Sequence, residues 1–143
     1  MSQTTQNKTE LTRREAREQA FALVFEKTFH ECGLDEIICN ASDASEIVVD
    51  DFARKEAEGV YANIDAIDGV ISENLRGWTI SRISRVALSI LRLAVYEIKY
   101  SEEVPTSVAI NEAVELAKKF GTDDDPSYIN GVLGSVAKSG DAQ

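Results

Sequence analysis

The sequence predicts an all-α protein, a single helical bundle with a central apolar helix at about Ser84–Tyr100 surrounded by the other helices. Three observations carry this expectation. In that stretch Val86, Ala87, Leu88, Ile90, Leu91, Leu93, Ala94, Val95 and Ile98 occupy nearly the whole circumference of a helical wheel. Arg85, Ser89, Arg92, Tyr96 and Lys99 share the one narrow polar stripe left over. A helix so apolar must be enclosed, yet it is short for a membrane span and carries a basic stripe and Glu97, so other helices of the chain are its expected wrapping. The flanking segments are amphipathic with helical period and bear capping residues, and no stretch alternates with period two strongly enough to outcompete them.

In chain order, residues 1–10 are polar and aperiodic and read as a disordered tail ahead of a domain at 11–139. Thr12-x-x-Glu15 is a capping box that opens a helix expected to run to about Glu31 and stop before Gly33. Its inward face is Ala16, Ala20, Phe21, Leu23, Val24, Phe25 and Phe29. Arg13 and Arg17 lie on the side of Ala20 and Val24, so either the helix start overhangs the bundle or these arginines cover its edge. Asp35–Asn40 reads as a short helix and Ala41–Ser45 as a loop.

A helical stretch follows from about Asp50 to Leu75, with Phe52, Val60, Ile64, Ile67 and Ile71 on its buried side and Gly59 and Gly69 as candidate breaks. Gly77 ends this unit, and Trp78, Ile80 and Ile83 lead as an apolar corner into the central helix. On that helix Glu97 projects among apolar residues, where an ionised carboxylate requires a partner.

Val104-Pro105-Thr106 breaks the chain, and Thr106–Phe120 returns as an amphipathic helix closed by Gly121. Its inner face is Ile110, Ala113, Val114, Leu116, Ala117 and Phe120. Asp125 as N-cap with Pro126 at the first helical position starts the last helix, which buries Ile129, Val132, Leu133 and Val136 and ends before Gly140.

The chain of 143 residues has 43% hydrophobic content and a net charge of -10, which looks wrong for a nucleic-acid protein until its distribution is examined. Glu31–Glu73 holds twelve acids against Arg54 and Lys55 alone, a net of -10 that equals the total. Arg76–Tyr100 holds five bases against one acid, and Lys8–Arg17 four bases against two acids. Arg85, Arg92 and Lys99 recur every seven residues, which makes a basic ridge or the snorkelling rim of a buried helix.

Arg13, Arg14 and Arg17 stand near a helix N-terminus, where cations oppose the macrodipole by roughly 0.3–1 kcal/mol each. They read either as a solvated basic end or as a phosphate-binding patch. Tyr128, off the apolar stripe of the last helix, reads either as an ordinary half-buried tyrosine or as a stacking platform for an unpaired base.

Cys32 and Cys39, with six residues between them, match no standard zinc or redox spacing, and Asp123–Asp125 lacks that of a calcium loop. No metal or cofactor is therefore expected. A single histidine removes most routes to acid-base catalysis at neutral pH. The absence of an apolar leader or transmembrane run points to the cytoplasm and away from a membrane.

Ser89-Ile90-Leu91-Arg92-Leu93-Ala94-Val95-Tyr96-Glu97-Ile98, then Val104-Pro105, the run from Val108 to Lys118, Phe120-Gly121 and Tyr128-Ile129-Asn130-Gly131-Val132-Leu133 together resemble the C-terminal half of the NusB transcription antitermination family. Arg13-Arg14-x-Ala16-Arg17-Glu18-x-Ala20 resembles that family's opening helix, whereas Asp35–Gly77 matches only loosely.

The resemblance implies a non-enzymatic RNA-binding protein of the transcription elongation complex. It would pair with a small-subunit ribosomal protein, NusE, on the single-stranded box A element of nascent ribosomal RNA transcripts. By position it implies RNA contact at Arg13, Arg14, Arg17, Arg92 and Tyr128, and an influence on RNA affinity at Asp124. The chain departs from some relatives at Ala87, where a charged residue helps form the partner surface, and at Thr106 and Ser107. Two rivals are the helical domain that precedes the catalytic domain of some RNA cytosine methyltransferases, which requires this chain to be a fragment, and a protein-interaction module without RNA binding.

Overall fold

The computed structural model describes residues 11–45, 48–75, 77 and 79–141. The expected tail at 1–10, Arg76 of the basic zone and Trp78 of the apolar corner lie outside the described residues. Among those described there are seven helices and no strand: α1 Arg13–Lys27, α2 Leu34–Ser45, α3 Asp51–Ala62, α4 Ile64–Asn74, α5 Arg85–Tyr100, α6 Thr106–Phe120 and α7 Asp125–Asp141. None of them is long and apolar enough to cross a membrane. The chain forms two compact units, one up to Glu58 and one from Gly59 onward, with the division inside α3.

In the first unit α1 packs on α2. The capping box forms as expected: Thr12 Oγ1 accepts the Glu15 N–H at 3.0 Å and Glu15 Oε1 accepts the Thr12 N–H at 2.9 Å, so two orphan donors of the first turn are satisfied. The helix ends at Lys27, a turn short of the expected Glu31, because the Thr28 hydroxyl donates to the Phe25 carbonyl at 2.6 Å and the Thr28 N–H closes a tighter turn on the same oxygen. Phe29 thereby leaves the expected inner face and is 52% exposed. Ala41–Ser45, expected as a loop, continues α2.

In the second unit α5 packs against α4, α6 and α7, and Ile90, Leu91 and Val95 are fully buried along it. Gly77, at φ 78°, takes the left-handed conformation that favours glycine and turns the chain toward it. Ser84 Oγ then accepts the Ala87 N–H at 3.0 Å and starts the helix. The polar stripe is narrower than the wheel suggests, since Ser89 and Tyr96 are buried while Arg85 and Lys99 stay exposed. Glu97 is 2% exposed, on the closed side as expected.

Neither glycine breaks the expected Asp50–Leu75 helix. The break is at Asn63, whose backbone leaves helical geometry at φ -122° and ψ 25° while its Nδ2 donates to the Gly59 carbonyl at 2.9 Å. The helix α6 has the expected bounds, but Phe120 is 40% exposed. Asp125 is the first residue of α7 rather than its N-cap; its Oδ2 accepts the Thr122 N–H at 2.9 Å and ties the preceding turn. Ile129, Val132, Leu133 and Val136 are fully buried, and α7 continues past Gly140 to Asp141.

Candidate nucleic-acid interface

The sequence-derived site residues fall into three places. Arg13, Arg14 and Arg17 occupy the first turns of α1, where the capping box and the Glu15 carboxylate lessen the conflict between cations and the helix dipole. The Arg13 guanidinium lies over the Phe52 ring at 4.0 Å from its centre, and that of Arg17 over the same ring at 5.4 Å. Arg13 and Arg14 are exposed, whereas Arg17 is 5% exposed. For Arg17 the two sequence alternatives are thus decided: it covers an edge and does not overhang.

Arg92, on the middle of α5, donates from Nε and Nη2 to the two Asp68 oxygens of α4, both at 2.9 Å, in a planar two-bond pairing. The two side chains are 14% and 28% exposed. Tyr61 of α3 also bonds to Arg92. Burial disfavours the Arg92 charge, but the bonds and charge of Asp68 outweigh it and raise the guanidinium pKa above its ordinary range. Burial also raises the Tyr61 pKa, against the pull of Arg92. Arg92 is consequently a clamp across three helices, and the basic ridge Arg85–Arg92–Lys99 is interrupted at its centre.

Asp124 and Tyr128 meet in a cleft of about 360 Å³, lined also by Arg82, Ser84 and Ala87 before and at the start of α5, and by Thr122. The Tyr128 N–H donates to the Asp124 carbonyl at 3.2 Å, which joins Tyr128 in the first turn of α7 to Asp124 just before it. The Tyr128 ring is half-buried, and its hydroxyl is buried without a hydrogen-bond partner among the described residues. The arrangement offers an aromatic face, a cation at Arg82 and exposed carboxylate acceptors at Asp124, the group types that hold an unpaired base and its phosphate.

The structure thus brings Asp124 and Tyr128 together and leaves Arg92 outside their cleft. Sequence reasoning missed two contributors. Arg82 was visible only as one base of a basic zone; its place at the cleft follows from the turn closed by its own N–H on the Thr79 carbonyl at 2.9 Å. Phe52 carried only an apolar signal at helical spacing, the same as a core residue. Among the described residues no group of three or more histidine, cysteine or acidic side chains is placed to hold a metal ion, and Cys32 and Cys39 are not joined in a disulfide.

A profile of the NusB family matches residues 14–138. The transcription antitermination protein NusB of Listeria monocytogenes serotype 4a (strain HCC23) is 44% identical over 127 residues, covering 89% of this chain and 97% of that one. Among solved structures, NusB of T. maritima superposes with a TM-score of 0.81 at 32% identity, over 90% of this chain and 92% of the other. A structure described as antitermination factors NusB and NusE in complex with dsRNA matches with a TM-score of 0.79 at 25% identity, over 89% and 96% of the two chains.

Proposed function

The chain belongs to the NusB family, and from that premise we propose that it is a transcription antitermination factor that binds the single-stranded box A RNA of nascent ribosomal RNA transcripts together with NusE. It would act in the cytoplasm, within the transcription elongation complex and without catalysis. The observation that carries the proposal is the cleft in which Tyr128 and Asp124 meet Arg82, because it adds a cation to a stacking face and hydrogen-bond acceptors, and the positions of Tyr128 and Asp124 resemble those of the family's RNA site. The solved NusB–NusE complex with dsRNA supports both classes of partner.

In this reading Arg13 and Arg14 supply phosphate attraction, Tyr128 stacks on a base, and Asp124 moderates affinity. Arg17 and Arg92 act from more covered positions, Arg92 through the Asp68 clamp. The acids of residues 31–73 lower non-specific affinity, so the partner protein contributes much of the binding surface.

Titration of labelled box A RNA with and without NusE tests the reading. The partner is expected to tighten binding at least roughly tenfold, about 1.4 kcal/mol of coupling. Tyr128→Ala is expected to cost about 1–3 kcal/mol with the salt dependence unchanged. Tyr128→Phe, which removes only the buried hydroxyl, is expected to bind like the parent. No RNA binding in either the presence or the absence of NusE sinks the proposal and favours a protein-interaction module.

A further inference from the structure

We propose that Phe52 is a positioning residue for RNA binding: its ring orders the arginines of the first helix so that Arg13 presents its guanidinium to RNA already oriented. The proposal rests on the reading of Arg13 as an RNA contact and deepens it. Two guanidiniums share this one ring, at 4.0 and 5.4 Å, and they are two of the three cations that sit against the helix dipole. An arginine side chain is long and rotamer-rich, and ordering it on binding weakens affinity. Laying its plane on an aromatic ring removes much of that freedom beforehand and leaves N–H groups for phosphate oxygens.

The ring is itself held in place from α1. Gln19 donates from Nε2 to the Val48 carbonyl at 3.2 Å and accepts the Asp50 N–H on Oε1 at 2.9 Å. Asp50 Oδ1 in turn accepts the Phe52 N–H at 2.8 Å and so sets the start of α3. The helix that carries the arginines therefore also fixes the backbone that supplies their platform. Of the two stacked cations, exposed Arg13 faces outward, and Arg17 at 5% exposure is the inner support. An ordinary core phenylalanine would need neither cation, and Phe52 is only half-buried.

The test uses the full chain and a fluorescein-labelled single-stranded RNA carrying box A, read by anisotropy at several salt concentrations. Phe52→Leu, which keeps apolar bulk but has no π face, is expected to weaken binding about fivefold, with the salt slope unchanged because no cation is lost. Phe52→Tyr is expected to restore binding. In an Arg13→Gln/Arg17→Gln background, Phe52→Leu is expected to cost nothing further, since the groups it positions are gone.

Normal binding by Phe52→Leu, or losses that multiply in the combined variant, overturns the proposal. If instead Arg13→Gln/Arg17→Gln binds like the parent, the phosphate role of these arginines falls first, and the proposal falls with it. A readout without RNA guards against a misfolded variant. In the NMR spectrum of the parent protein, the Arg13 and Arg17 side-chain methylenes should be shifted upfield by the Phe52 ring current, and random-coil positions for both would also overturn the proposal.

Discussion

Glycine-to-alanine replacements at two helical positions should change stability in opposite directions, and the reason lies in what each Cβ would meet. At Gly59 on α3, an added Cβ would stand 2.2 Å from Tyr96 Cε1, 2.4 Å from Cζ and 2.7 Å from Oη. Carbon atoms pack best at about 3.5–4.0 Å, so the ring must retreat by more than about an ångström. Tyr96 is buried and stacked on Tyr100 with ring centres 5.8 Å apart, which leaves it little room to yield. Overpacking of this kind costs about 1–3 kcal/mol, and alanine returns about 1 kcal/mol as the better helix former, for a net loss of about 1 kcal/mol. At Gly69 on α4 the added Cβ would meet nothing within 4 Å among the described residues beyond its chain neighbours and its own helix backbone, so Gly69→Ala should stabilise by up to about 1 kcal/mol. Paired urea melts of the two variants measure the difference. Equal stability of Gly59→Ala and Gly69→Ala would refute the claim that Tyr96 requires glycine at its back.

Three further outcomes follow from the same contacts. Leu91→Ala empties a fully buried site on α5 and should cost about 2–5 kcal/mol in denaturant melts; a loss below about 1 kcal/mol would mean that α5 is not central. Asp68→Ala leaves the Arg92 guanidinium without its carboxylate, and because both groups keep some solvent contact the cost should be about 1–3 kcal/mol, below that of breaking a fully buried pair. An Asp68→Ala melt that overlays the parent would show the clamp to be idle. Tyr61 has a folded pKa raised above the ordinary 10.0, so the folded state holds its proton longer than the unfolded state does. Its contribution is fully present below pH 10 and is lost as pH rises through the folded value, so Tyr61→Phe should flatten the alkaline fall in stability relative to the parent. Parallel falls would dismiss the linkage.

The central helix and α6 were legible because strong local signals agree with the packing: Ser84 and Gly121 stand at the right places, and apolar residues fill the faces that other helices cover. Where signals were weak the sequence misled. Gly59 and Gly69 were the obvious candidates for the break in the stretch that follows, yet Gly59 serves the approach of Tyr96, and the break belongs to Asn63 through a side-chain bond that no periodicity reveals. Phe29 and Phe120 lay on the inner face of an ideal wheel. The wheel assumes that the helix and its cover continue to those residues, and they stand beyond one helix end and at another. Ser89 and Tyr96 show the converse limit, since polarity alone placed them in the open stripe and the structure buries both.

The candidate site was legible as residue types and illegible as exposure, and that difference has a measurable consequence. The sequence reading offers Arg13, Arg14, Arg17 and Arg92 as RNA contacts alike, and the cleft adds Arg82. They differ in exposure: Arg92 is paired with Asp68, Arg17 is covered against Phe52, and Arg13, Arg14 and Arg82 are exposed. Three phosphate contacts at about 0.7 each give an expected salt slope near -2 for single-stranded RNA, against about -3.5 if all five took part. Measuring log affinity against log salt for the chain alone, then with NusE, separates the cases. A slope near -2 that steepens when NusE is added means that the partner brings its own cations to the RNA. A slope near -3.5 for the chain alone would mean that RNA draws Arg92 off Asp68 and exposes Arg17, and the assignment of both to support would be wrong.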